Sequence, residues 1–193
     1  MLRHTSFLEI ACQQVLVEDA SVFSIQWSDL PAAIAGDLTS QDIFIYYLGF
    51  INKCTLTLIR PVILENGIEL RLIGTKWSLL SFLPPVYADN FVTLRISGGF
   101  LVQPGRRDQG ELRFGAAHLP GSVRVSLRLS EYCPSILGSG SPSLLRFWLY
   151  RMTQAAIHRL GTVRFLSQLY SRLAGQSARV RVVNVAVRDG KPV

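Results

Sequence analysis

Apolar and polar positions alternate with a period of two over most of residues 53–133, which predicts strands. Residues 53–64 and 68–74 flank an Asn66–Gly67 pair that suits a hairpin turn, and in the second arm Ile68, Leu70 and Leu72 alternate with Glu69 and Arg71. Val92, Leu94 and Ile96 share one face of the next run, with Gly98–Gly99 at a bend. Residues 110–119 and 122–132 pair across Pro120–Gly121. In the latter, Val123, Val125, Leu127 and Leu129 alternate with Arg124, Ser126 and Arg128. One buried and one wet face in successive strands is the pattern of an antiparallel meander. Residues 7–17 alternate in part, with Leu8, Ile10, Cys12 and Leu16 on one side, and predict a first strand. Between residues 18 and 50, Asp19, Pro31 and the Asp37–Asp42 stretch offer start signals for two short helices.

The period then changes. Residues 143–174 read as one long helix, with Ser141–Pro142 at its start and Gly175 at its end. A wheel at about 100° per residue gathers Leu145, Trp148, Leu149, Met152, Ala156, Leu160, Val163 and Leu166 on one face. Phe147, Arg151, Gln154, His158, Phe165, Gln168 and Arg172 gather on the other, which turns His158 to solvent or to the sheet rim. Arg159 falls near the centre of the apolar face. A buried, unpaired guanidinium is costly. Arg159 therefore anchors a ligand carboxylate or enolate, or snorkels to the rim, or Gly161 shifts the register of the helix. Residues 176–190 return to period two and predict a terminal strand. A 30-residue helix is about 45 Å long and can cover the apolar face of a curved sheet. The expected fold is α+β: a curved antiparallel sheet of about six or seven strands wrapped around one long C-terminal helix, with an extra terminal strand. Residues 1–193 read as one domain.

The succession at residues 122–166 is a last strand ending at Tyr132-Cys133-Pro134, a Leu137-Gly138 turn, and a helix carrying Trp148, Tyr150, His158 and Phe165. Together with the element order over residues 7–174, it resembles the START-like superfamily, which includes the birch-pollen allergen and the aromatic polyketide cyclases. The resemblance implies a helix-grip fold with a hydrophobic cavity between sheet and helix. One departure is the strand after the helix. It either extends the sheet edge, mediates dimerisation, or marks another fold such as a lipocalin-like barrel.

Charge and composition narrow the partners. The chain carries a net charge of +7, and all but three of its 20 basic residues are arginine. Residues 132–188 hold eight arginines and no carboxylate. The arginines stand singly between apolar residues, apart from Arg106–Arg107, and no aromatic-interleaved motif accompanies them, so nucleic acid is not the expected partner. Hydrophobic residues make up 49% of the chain, which excludes disorder. Residues 44–59 form the longest apolar run, but Asn52 and Lys53 interrupt it well short of a membrane span. No signal-peptide pattern opens the sequence, and the expected location is the cytoplasm. Cys12, Cys54 and Cys133 are far apart and read as buried free thiols.

No Ser-His-Asp spacing, HExxH, P-loop or GxGxxG occurs, and His4, His118 and His158 are not at ligand spacing, so neither metal nor cofactor is expected. His118, at a strand end, is the best general acid–base candidate. It forms the expected catalytic set with Glu131 and Tyr132. Asp89, Glu131, Tyr132 and Tyr150 are candidates for a cavity mouth. Arg159, Trp148, Met152, Trp77, Phe100 and Tyr150 are the expected ligand-binding residues, and Trp77, Trp148, Phe82 and Phe100 read as core or cavity wall. These residues support three readings. The first is a protein that encloses a hydrophobic small molecule, in enzymatic form a cofactor-independent cyclase that works by preorganising its substrate. The second is a non-enzymatic lipid carrier touching anionic membrane through the basic region 146–188. The third is a structural or homodimer-interface role for the terminal strand.

Overall fold

The computed structural model describes residues 7–106, 108–138 and 144–193. Its described residues form an α+β fold built on a large open mixed sheet of 11 strands. The strands are β1 (Phe7–Leu16), β2 (Val22–Pro31), β3 (Ile59–Leu64), β4 (Gly67–Leu72), β5 (Ser78–Phe82), β6 (Val86–Ala88), β7 (Phe91–Gly98), β8 (Glu111–Leu119), β9 (Ser122–Tyr132), β10 (Arg179–Asn184) and β11 (Lys191–Pro192). They lie in the order β10-β1-β2-β9-β8-β7-β5-β4-β3, with β11 beside β1 and β6 beside β7. The strand count is thus higher than the six or seven expected. The sheet is also not purely antiparallel, because β10 runs parallel to β1, with Phe7 opposite Arg179 and Cys12 opposite Asn184.

One expected helix is a strand. The segment after Asp19 forms β2, which pairs antiparallel with both β1 and β9. Its buried face carries Ser24, Gln26 and Ser28 between Val22 and Leu30, so no apolar alternation reveals it. Gln26 Nε2 donates to Ser24 Oγ at 2.7 Å, and Ser28 Oγ donates to the Glu9 carbonyl at 2.7 Å. These bonds satisfy donors that would otherwise be costly to bury.

The helices are α1 (Ala32–Ala35), α2 (Ser40–Cys54), α3 (Leu144–Tyr150) and α4 (Ala156–Ala174). A capping box starts α2: Thr39 Oγ1 accepts from the Asp42 amide at 3.1 Å, and the Asp42 carboxylate accepts from the Thr39 amide at 3.0 Å. The helix runs on through Lys53, so the first arm of the predicted hairpin begins only at Ile59. The predicted start at Ser141–Pro142 lies outside the described residues. A π turn, Arg151–Ala155, joins α3 to α4, so the 144–174 segment is not one regular α-helix. Tyr150 and Ala155 are five residues apart and both buried. The wider π turn brings them to the same side. From there the inward positions recur at helical spacing: His158, Thr162, Phe165, Leu166, Leu169 and Tyr170. Gln14 Nε2, on the inner side of β1, donates to the Ala155 carbonyl at 3.2 Å and so ties the turn to the sheet.

Two helices, not one, cover the inner face. α2 packs on β7 and β8, α4 packs on β1 and β2, and the two helices touch. Phe165, with 0% of its surface exposed, sits between them, its ring 5.2 Å from Tyr47 and 5.4 Å from Phe50. Phe114 of β8 closes the cluster from below, 4.9 Å from Tyr47 and 5.5 Å from Phe44. β10 extends the sheet edge. Gln13 holds the chain beyond it, accepting from the Val187 and Arg188 amides at 2.7 and 3.0 Å.

Candidate ligand cavity

A cavity of about 360 Å³ lies between the sheet and the helices. Strands β4, β5, β7, β8 and β9 supply Leu70, Leu80, Phe82, Ile96, Leu112 and Leu129. The C-terminal half of α2 supplies Tyr47, Phe50, Ile51 and Cys54, and the other wall holds Tyr150, Ile157, His158, Gly161 and Thr162. Ile157 is 70% exposed and Cys54 is exposed, which places the mouth between α4 and the end of α2. Cys54 is therefore not the buried thiol expected, whereas Cys12 and Cys133 are buried.

The wall is apolar and uncharged. Among the described residues no Asp, Glu, Lys or Arg lines it. Burial pushes the phenols of Tyr47, Tyr132 and Tyr150 well above their usual range. Burial also raises the Cys54 thiol and lowers the His158 imidazole to about 4. At neutral pH these groups are uncharged.

Tyr132 reaches the cavity through a bulge. On β9 the inward residues are odd-numbered from Val123 to Leu129, and pairing with β2 then slips. Glu131 takes a left-handed φ of 56°, and the phase moves by one, turning Tyr132 inward. Its hydroxyl donates to the Leu101 carbonyl at 2.8 Å.

Of the residues expected from the sequence, Tyr132, Tyr150 and Phe82 line this cavity. Glu131 and His118 are exposed, and His118 stands at the far end of β8 opposite Val123. The proposed triad of His118, Glu131 and Tyr132 therefore does not assemble. Trp77 and Phe100 are exposed and stack on each other at 5.9 Å, away from the lining. Asp89 is also exposed outside it. Trp148 and Met152 are each 58% exposed, on the outward side of the helix. Arg159 is not in an apolar face; its guanidinium donates to Asn184 Oδ1 at 3.0 Å and ties α4 to β10.

His158 is the residue the wheel misplaced. A constant 100° step carried across the π turn rotates every later position away from its true face. Counting back from Phe165 and Thr162 alone, at spacings of three and four, puts His158 on the buried side. Its Nε2 is buried and has no hydrogen-bond partner. The lowered pKa links this residue to stability. Between pH 6.5 and about 4 the unfolded chain binds a proton that the folded state refuses, so stability is full above this window and falls as pH drops through it. The expected loss is up to about 3 kcal/mol. Thermal melts from pH 7 to 4 should show it, and the slope should flatten in His158→Gln. Asp29 behaves differently. Its hydrogen bond from Arg124 lowers its pKa below 3.8, so its contribution is lost only in stronger acid. An unchanged slope in His158→Gln would remove His158 from this account.

A second depression, of about 480 Å³, lies between α2 and α4. It is a surface groove with Asp42, Lys53 and Arg172 along it, and Arg172 stacks over the Tyr46 ring at 4.6 Å. Among the described residues no group of three or more His, Cys, Asp and Glu side chains is placed to hold a metal. No described helix is long and apolar enough to cross a membrane.

No protein-family model matches the chain, and no curated protein matches it in sequence. Solved structures do. A solution NMR structure of CalU16 from Micromonospora echinospora is similar to it at 13% identity and a TM-score of 0.42, covering 92% of this chain and 79% of that one. A crystal structure of CalU16 is similar at 12% identity and a TM-score of 0.34, covering 87% of this chain and 96% of that one.

Proposed function

We propose that this protein binds a hydrophobic small molecule in the cavity between its sheet and helices, as a START-like protein does. The observation that carries the reading is the uncharged, mostly apolar 360 Å³ space walled by β4, β5, β7, β8, β9, α2 and α4. This volume falls at the lower end of the roughly 300–1,000 Å³ of small-molecule sites. Shaping a flexible chain for cyclisation is the enzymatic role such a wall supports best, because contact alone can preorganise a substrate without an acid or base. The test is titration with N-phenyl-1-naphthylamine, a neutral fluorophore that brightens in apolar surroundings. Saturable, one-to-one enhancement that is independent of salt is the expected result. Absence of any saturable binding removes the proposal.

A second reading, contact with an anionic membrane, has its own support. Leu145, Trp148, Leu149, Met152, Ile157 and Leu160 are exposed and follow the outward side of α3 and α4. Large exposed apolar patches mark interaction surfaces. This one lies in a segment whose only charges are arginines, and it ends at the cavity mouth. Each arginine that reaches anionic headgroups adds roughly 1 kcal/mol. Flotation with phosphatidylglycerol vesicles should bring the protein up, and phosphatidylcholine vesicles or high salt should not. Trp148→Glu should abolish the effect. A stable dimer that dissociates in Trp148→Glu, with no flotation, would assign the patch to a second copy of the chain and overturn the membrane reading.

A further inference from the structure

Two hydroxyls of the cavity wall are committed already. The Tyr132 hydroxyl donates to the Leu101 carbonyl, and the Thr55 hydroxyl donates to the Ile51 carbonyl, each at 2.8 Å. His158 Nε2 is different: it is buried, in the wall, and without a partner among the described residues. Arg164 acts on the Cys54 thiol at the mouth, but among the described residues no charged side chain lines the space itself. A carboxylate buried in it would lose its water without a cation in contact, which is unfavourable.

We propose that the cavity takes an uncharged ligand, apolar over most of its surface, with one hydroxyl group that hydrogen-bonds His158 Nε2. This rests on the cavity being the ligand site. A hydroxyl is favoured over a carbonyl because it both donates and accepts, and so serves either tautomer of a neutral imidazole. Burial holds that imidazole neutral over the whole range above about pH 4. The unpartnered nitrogen is thus a cost in the empty protein that the right ligand recovers. Sites built in this way discriminate strongly against analogues that lack the polar group.

The experiment displaces N-phenyl-1-naphthylamine with three compounds of one size at pH 7.5: 2-naphthol, 2-methylnaphthalene and 2-naphthoate. The expected order is naphthol first, about tenfold ahead of the hydrocarbon, with naphthoate last. His158→Leu should erase the advantage of naphthol over the hydrocarbon. His158→Gln, which keeps a hydrogen-bonding group, should restore part of it. Naphthoate binding best, or an advantage of naphthol that survives His158→Leu, overturns the inference and leaves the cavity reading intact. No binding of the fluorophore to wild-type protein overturns both. A raised melting temperature in His158→Leu together with the lost preference would mark a residue kept for the ligand and not for the fold.

Discussion

Phe165→Ala is expected to lower stability by about 3–5 kcal/mol, a fall in Tm of roughly 6–20 °C for a chain of this size. Phe165 is fully buried and lies edge-on to both Tyr47 and Phe50, with Tyr46 at 6.0 Å. Its removal leaves a hole where α4, α2 and β8 meet, and rings in such clusters do not collapse readily into a gap. Aromatic pair contacts add to the area term. Two neighbours of Phe165, Tyr47 and Phe50, also wall the cavity, so fluorophore affinity should fall with stability. Ile45→Ala, on the exposed side of α2, is the control and should stay within about 0.5 kcal/mol. A shift of under 2 °C for Phe165→Ala would mean that α4 is not seated on α2 as described.

Gly161→Phe is expected to reduce fluorophore binding at least tenfold without lowering Tm. Gly161 lines the cavity in the middle of α4, and nothing stands within 4 Å of the place a Cβ would occupy. A benzyl group there takes up space that the ligand needs. Glycine is about 0.8–1.0 kcal/mol less favourable than alanine inside a helix, so the substitution also removes a local weakness. Gly161→Ala separates the two effects: it should raise Tm modestly and leave binding nearly intact. Unchanged binding in Gly161→Phe would place the fluorophore elsewhere, with the groove between α2 and α4 the next candidate. Both variants can be read by melting and titration on one preparation.

Much of the sheet was legible because strand patterning is local. β7, β8 and β9 each bury one face and wet the other over most of their length, and their apolar alternation reports this directly. β2 was not legible, because its buried face is polar and its hydrogen bonds are made to residues distant in sequence. The Asp37–Asp42 stretch was readable as a helix start, but neither the Thr39–Asp42 capping box nor the reach of the helix through Lys53 was. The candidate site was less legible still. Tyr132 enters the cavity only because a bulge at Glu131 changes the phase of β9. His158 enters because a π turn changes the phase of the helix. Trp148, Met152, Trp77 and Phe100 are large and apolar, yet exposed, and composition cannot say which side of a helix or hairpin the chain will cover.

The sequence by itself determined the α+β class, the antiparallel centre of the sheet, the hairpin turns and the acid-free basic segment. Each follows from periodicity, turn chemistry or charge within a short window. Tertiary structure alone decided that β10 returns to lie parallel to β1, that two helices share the inner face, and that Arg159 bonds Asn184. It also decided that His158, its Nε2 without a partner among the described residues, stands in a mostly apolar wall. These are relations between residues far apart in the chain, and one added residue in a strand or helix turn is enough to change which side chains meet.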